Sequence, residues 1–401
     1  MARSLLGNEL SDLCLGKPAL RSLSVSDTVA DALSALKRSG DTYLSVWSCN
    51  HSLEGANNGA AVAVAVAVAA AGIVDDCRCI GKVCLADVIC FLCKEENLTN
   101  PGSALQSPLS VLIPKSPKLV RHLEPNASLV EAIDLILEGA QNIVIPLGSG
   151  TRNSRKKLLH KSSSNSTLHK NQEFCWLTQE DIIRYLLNSI GHFCPTSVNP
   201  INALGIIDTN VITVHYHAPE ASALPFIAQS LMTQTSVAVV DLDGKLIGEI
   251  SPLALNACDE SVAAAIMTLS AGNVMAYIDC GGPPEDLVQV VKDRLLKTNL
   301  EPALELMEED SFSSYSSSSD DEVGMGKSGR LRGYAARVGR RSEANVCYPQ
   351  SSLVAVMIQA LAHRANYVWV VEEDGTLAGI VTFTGMIKVF REHMKGICFG
   401  Q

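Results

Sequence analysis

One order of elements recurs four times along the chain: a short strand, an amphipathic helix, two apolar strands, then a hydroxyl-capped helix. Such repetition constrains the fold more than any single residue, because each unit can bury its apolar face only against copies of itself. The second and third strands with the following helix read TYLSVW and CIGKVCLADVICFL in copy one, and NIVIPL and FCWLTQEDIIRYLL in copy two. Copy three reads SVAVVDLDGKLIGEISPLAL and copy four YVWVVEEDGTLAGIVTFTGMIKVF. In these last two, Asp243-Gly244 and Asp374-Gly375 separate β-rich runs. A tight hairpin needs residues tolerant of positive φ at that point, so both pairs predict hairpin turns.

Ahead of each hairpin the apolar residues fall at helical spacing. Val29, Ala32, Leu33 and Leu36 form the first stripe, and Leu129, Ala132, Ile133, Ile136 and Leu137 the second. Phe226, Ile227 and Leu231 form a weaker third, and Leu353, Val356, Met357, Ala360 and Leu361 the fourth. Each stripe suits a helix packed on one side of a small sheet. Candidate N-caps are Ser26 or Asp27, Asn126 or Ser128, and Ser351 or Ser352.

On these residues the chain resembles the cystathionine-β-synthase (CBS) repeat, and as a whole the plant CBS-domain-containing proteins that carry four copies. The likeness runs from about Leu13 to about Met394 and is strongest in GKVCLAD, LIGEIS and LAGIVT. It implies an α/β (α+β) fold of four β-α-β-β-α repeats, paired into two pseudo-two-fold modules. Repeats are expected at 13–97, 108–192, 195–279 and 343–396, with a helical extension at 283–309 and a flexible Ser-rich linker at 311–342.

Bulk properties agree with an intracellular protein. A chain of 401 residues can bury two ordinary cores. The net charge of −10 and pI near 5.4 oppose a nucleic-acid surface, which needs clustered cations. The opening MARSLLGNELSDLCLG lacks an apolar h-region, and 13 irregularly spaced cysteines suit free thiols in a reducing compartment, cytoplasm or nucleus.

Three stretches interrupt the repeats. The first hairpin is opened at about 50–76 by an Ala/Val tract, GAAVAVAVAVAAAG. Its run is about long enough for one crossing of a ~30 Å bilayer, but it is weakly apolar and joins two strands of one sheet, so it reads as a loop insertion without membrane contact. The second hairpin is opened at about 148–172 by a basic, Ser-rich stretch that reads as a solvated loop. In the linker, SFSSYSSSSDDEVG precedes KSGRLRGYAARVGRR, and the serines before Asp320, Asp321 and Glu322 suit an acid-directed kinase.

The chemistry lies where the third strand meets the second helix. The resemblance implies a glycine there, then a Ser or Thr, then an Asp three residues on, facing a cleft between paired repeats. There the carboxylate would accept both ribose hydroxyls of an adenosine ligand, and apolar walls would take the base. The copies diverge at these positions. Thr178 and Asp181 supply both groups in copy two, where Cys175 or Trp176 replaces the glycine. Copy one keeps Asp87 but carries Cys84 for the hydroxyl. Copies three and four keep Ser251 and Thr382 but place Ala254 and Gly385 where Asp would stand. The same spacing is also that of a helix N-terminal capping box, and Ser251-Pro252 suits a cap with first-turn proline.

Cys77, Cys79, Cys84, Cys90 and Cys93 crowd together without a His at finger spacing and read as small buried thiols rather than a zinc site. His215 and His217 share a strand face without a nucleophile or carboxylate in recognisable order. Nothing in the chain requires catalysis or a cofactor. The resemblance implies a non-catalytic sensor of AMP, ADP, ATP or S-adenosylmethionine that modulates a protein partner, a homodimer being compatible with the family. Two alternatives stand beside it. One is a γ-subunit-like regulator of an energy-sensing kinase; the other is a metal or redox enzyme using the cluster from Cys77 to Cys93.

Overall fold

A computed structural model describes residues 9–49, 77–114, 119–147, 169, 172–279, 283–307 and 342–399. The Ala/Val tract, the tract's membrane alternative, most of the basic insertion and the proposed phosphorylation segment lie outside the described residues.

The order β-α-β-β-α recurs four times. Copy one comprises β1 (Ser22–Ser24), helix Val29–Ser39, β2 (Leu44–Trp47), β3 (Cys79–Val83) and helix Leu85–Leu92. Copy two comprises β4 (Val120–His122), helix Leu129–Leu137, β5 (Asn142–Pro146), β6 (Phe174–Leu177) and helix Gln179–Asn188. Copy three has β7 (Thr213–His215), helix Leu224–Thr233, β8 (Val237–Val240), β9 (Leu246–Ile250) and a short helix Pro252–Leu255. Copy four has β10 (Val346–Cys347), helix Leu353–His363, β11 (Tyr367–Val371), β12 (Leu377–Thr382) and helix Phe383–Phe399.

Each copy makes its own three-stranded sheet, in which the first two strands run parallel across the helical crossover and the last two form a hairpin. The middle strands β8 and β11 read as unbroken apolar runs because both of their faces are covered. β2, β8 and β11 are buried along their whole length.

The helical stripes are buried as the spacing requires. Val29, Ala32, Leu33 and Leu36 are all buried, as are Leu129, Ala132, Ile133 and Ile136, and Leu353, Val356, Met357 and Ala360. Leu137 and Leu361 lie at the stripe edges and are half-buried. The third stripe keeps only Ile227 fully buried among the apolar residues named for it. Ser128 and Ser352 cap their helices, but the first cap is Thr28 rather than Ser26 or Asp27. Asp27 is occupied earlier, accepting from the Ser24 backbone N–H at 2.7 Å, while Thr28 and Asp31 form a reciprocal capping box.

By compactness the chain divides into two units, one of residues up to 83 with 107–185, the other of 84–106 with 186–399. The first unit holds the sheets of copies one and two, and the second holds those of copies three and four. The helix Leu85–Leu92 of copy one groups with the second unit, where the Ala86 N–H donates to Asn256 Oδ1 at 2.9 Å.

Within each unit the lead-in to one copy bonds to the body of the other. Glu9 bridges Ser128, Thr28 bridges Pro108, and Pro200 bridges Ser352. In the second unit the two hairpin turns also meet reciprocally: Leu246 N donates to Gly375 O at 3.1 Å, and Leu377 N to Gly244 O at 3.0 Å. These paired exchanges are the two-fold relation in backbone terms.

The glycines of the third strands explain themselves through this pairing. A Cβ on Gly379 would stand 2.6 Å from Ile207 Cγ2 and 2.7 Å from Asp208 O, in the lead-in to copy three. On Gly248 it would stand 2.7 Å from Ser342 O, and on Gly81 it would meet Ile113. Copy two replaces this glycine with Cys175, which is buried and hydrogen-bonded to Cys14.

Candidate functional site

The four positions predicted to carry chemistry all sit at the N-termini of second helices. In copy two, the backbone N–H and hydroxyl of Thr178 donate to Asp181 Oδ2 at 2.8 and 2.7 Å, and Asp181 N donates back to Thr178 Oγ1 at 3.4 Å. In copy one, Cys84 N donates to Asp87 Oδ2 at 2.8 Å. Ser251 Oγ accepts from Ala254 N at 3.1 Å, and Thr382 Oγ1 accepts from Gly385 N at 3.2 Å. All four therefore cap, as the spacing alone allowed.

Only copy two adds a long-range charge. The Lys17 ammonium, from the lead-in to copy one, donates to Asp181 Oδ2 and to the Trp176 carbonyl, the latter at 2.6 Å. Both side chains are mostly enclosed, at 19 and 23% exposure, so Asp181 faces the paired copy rather than open water. An enclosed ion pair whose acid is already fixed by a helix cap presents an acceptor and a donor in defined positions. Lys17 lies 164 residues from Asp181 in sequence, and no spacing signal could have joined them.

Thr178 and Asp181 belong to the first unit, and Cys84, Asp87, Ser251 and Thr382 to the second. Ser251 is buried and lies in a polar cluster that the sequence reading missed. Glu249, also buried, accepts from Tyr367 Oη at 2.9 Å and Trp369 Nε1 at 2.6 Å. Burial pushes its carboxyl up to about 7, against the downward pull of hydrogen bonds from Trp369, Tyr367, Ser236 and Ser251. A charged residue inside the apolar run LIGEIS was the one sequence signal for it.

The run of cysteines does not assemble into a metal-holding group among the described residues. Cys79 is buried on β3 with its thiol directed to the Gly81 carbonyl, and Cys93 donates to the Ala263 carbonyl at 3.6 Å. Burial drives the Cys90 thiol up to about 12, with Asp87 adding to the rise. These are inert positions for a thiolate nucleophile or ligand. Cys77 alone leaves the group, to join Cys49 and His169. His215 and His217 are exposed. No helix of the described residues is long and apolar enough to cross a membrane.

Comparison with known proteins places this architecture. No family model matches the chain. The chain is 47% identical over 410 residues to the CBS domain-containing protein CBSX5 of Arabidopsis thaliana, covering 98% of this chain and 99% of that protein. It is 21% identical over 329 residues to the SNF1-related protein kinase regulatory subunit gamma-like PV42b of the same plant, covering 79% and 76% of the two chains. Among solved structures, protein MJ1225 of Methanocaldococcus jannaschii superposes with a TM-score of 0.52 at 15% identity, covering 96% of this chain and all of that one. That likeness speaks for the fold.

Proposed function

The chain belongs to the CBS domain-containing proteins, and from that premise we propose that it is a non-catalytic regulator that binds an adenosine-containing ligand and passes the occupancy to a protein partner. The observation that carries this reading is the Thr178-Asp181-Lys17 arrangement. Asp181 offers a carboxylate to vicinal ribose hydroxyls, and Lys17, displaced from it, offers a cation to a phosphate. Asp87 with Cys84 is the weaker counterpart in copy one. Ser251 and Thr382 lack an acid three residues on and act as caps that border any second site. The ligand acts through its difference in affinity for two states of the module, so Asp181 would carry the coupling.

Titration calorimetry of the full chain with AMP, ADP, ATP and S-adenosylmethionine tests this reading. Saturable heat that is lost in Asp181→Ala supports it, and no heat at millimolar ligand retires it. Phosphate-bearing ligands should weaken in Lys17→Ala more than S-adenosylmethionine, which carries no phosphate.

A second reading is favoured by one relative: a γ-like regulator of a protein kinase, as PV42b is named. Affinity capture from cells distinguishes the two. Recovery of kinase catalytic and scaffold subunits supports the kinase regulator; recovery of a different enzyme supports the free-standing sensor.

A further inference from the structure

Cys49 follows β2 and Cys77 precedes β3, so the two thiols bracket the first insertion, 28 positions apart. His169 lies near the C-terminal edge of the second insertion, 120 and 92 positions from them. The fold brings all three together in the first unit: Sγ to Sγ is 3.1 Å, and His169 Nδ1 stands 3.3 Å from Cys49 Sγ and 3.4 Å from Cys77 Sγ. Cys49 and His169 are buried, and Cys77 is half-buried.

We infer that Cys49, Cys77 and His169 form a zinc site that ties the bases of the two insertions to one point of the core. The geometry fits with little movement. Tetrahedral zinc, with bonds of about 2.3 Å to sulfur and about 2.0–2.1 Å to nitrogen, spaces two sulfurs about 3.8 Å apart and sulfur from nitrogen about 3.5 Å. The two sulfurs at 3.1 Å thus need to part by about 0.7 Å, and each sulfur–nitrogen pair, at 3.3 and 3.4 Å, by about 0.1–0.2 Å. Charge favours a divalent ion, because two thiolates and a neutral imidazole cancel it, and a buried site tolerates no net charge cheaply. Binding releases both thiol protons to solvent.

The surroundings hold the histidine ready. Its ring stacks on Trp47 at 3.6 Å between centroids and 8° between planes, and Phe174 lies edge-on 6.4 Å away. Trp47 is itself fixed by a hydrogen bond to Ser45 at 2.9 Å. Among the described residues no fourth Cys, His, Asp or Glu joins the group. The long sequence separations within the group hid it from motif spacing.

The test uses the reduced, chelator-stripped full chain titrated with cobalt(II), then zinc(II). One equivalent of cobalt should release about two protons, give thiolate charge-transfer absorption and intense tetrahedral bands, quench Trp47 emission, and be displaced by zinc without further proton release. Cys49→Ser, Cys77→Ser and His169→Ala should each weaken binding by more than about 100-fold, above what outer-shell partners contribute. Cys90→Ser should leave it unchanged. X-ray absorption at the zinc edge of the wild-type chain needs no variant and should find two sulfur neighbours. An octahedral cobalt spectrum, a zinc shell without sulfur, or undiminished binding in Cys49→Ser/Cys77→Ser overturns the proposal. So does a Cys49–Cys77 disulfide without zinc in protein alkylated on isolation from cells.

Discussion

Trp369 donates its indole N–H to Glu249 Oε2 at 2.6 Å, joining the middle strand of copy four to the third strand of copy three. Tyr367 completes the pair of donors from the same strand, at 2.9 Å to Oε1. Tyr367, Trp369, Ile380 and Ala238 make one buried apolar cluster around this contact. A carboxylate so enclosed is held by strong hydrogen bonds yet opposed in its charged form by burial.

This opposition gives a pH dependence of defined sign. An unfolded glutamate loses its proton near 4.5, and Glu249 in the fold near about 7. Between those values the unfolded state binds fewer protons, so stability falls as pH rises through the window and levels off above it. The loss is about 3 kcal/mol. Glu249→Gln should flatten this slope, its amide oxygen accepting from Trp369 and its amide N–H donating to the Tyr367 oxygen. Glu249→Leu takes the acceptor from the Trp369 N–H and leaves Tyr367 with the Ser236 and Ser251 hydroxyls, and should cost about 2–4 kcal/mol. Chemical denaturation across the pH window checks all three chains.

The strand glycines should separate by what they face. A Cβ on Gly379 or Gly248 collides with a backbone carbonyl at 2.7 Å, of Asp208 or Ser342, which cannot step aside without shifting the paired lead-in. On Gly81 the nearest atom is Ile113 Cδ1 at 2.6 Å, the end of a flexible side chain. Gly379→Ala and Gly248→Ala are therefore expected to cost about 2 kcal/mol each, and Gly81→Ala about 1 or less. Thermal denaturation of the three variants gives the order directly.

The hairpin glycines fail for a different reason. Gly244 and Gly375 have φ of +77 and +86 with open space around them, so a side chain meets no atom but strains the backbone. Alanine at either should cost about 1 kcal/mol, and asparagine should cost less because it tolerates the left-handed region. Stability measurements on the four single variants distinguish this from the collisions above.

The repeat was legible because its signals are local. Helical stripes such as Val29-Ala32-Leu33-Leu36 and the turns at Gly244 and Gly375 depend on neighbours in sequence, and the structure buries or bends them accordingly. Cap positions were legible to within two residues, and the choice between Asp27 and Thr28 turned on Asp27 bonding back to Ser24. What escaped was long-range. Lys17 meets Asp181, Trp369 meets Glu249 and His169 meets Cys49 across 164, 120 and 120 positions. Each depends on how copies pair, and no periodicity within one copy encodes it. The thiols were misleading for the same reason: nearness in sequence grouped Cys77 with Cys79 and Cys93, whereas folding grouped it with Cys49 and His169.

Thr178, Asp181 and Lys17 can be dissected by stability before any ligand is known. Thr178→Ala removes one half of a capping box and should cost about 1 kcal/mol. Asp181→Ala removes the other half and also leaves the Lys17 ammonium, 19% exposed, with the Trp176 carbonyl as its remaining bond in this group, so it should cost about 2 kcal/mol. Lys17→Met should cost less than about 1 kcal/mol, since its aliphatic stem is kept and Asp181 still accepts from Thr178. The coupling between Lys17 and Asp181 follows from the double variant. If Lys17→Met and Asp181→Ala prove additive, the ion pair has no energetic role, and the idea that a ligand must displace Lys17 from Asp181 falls with it.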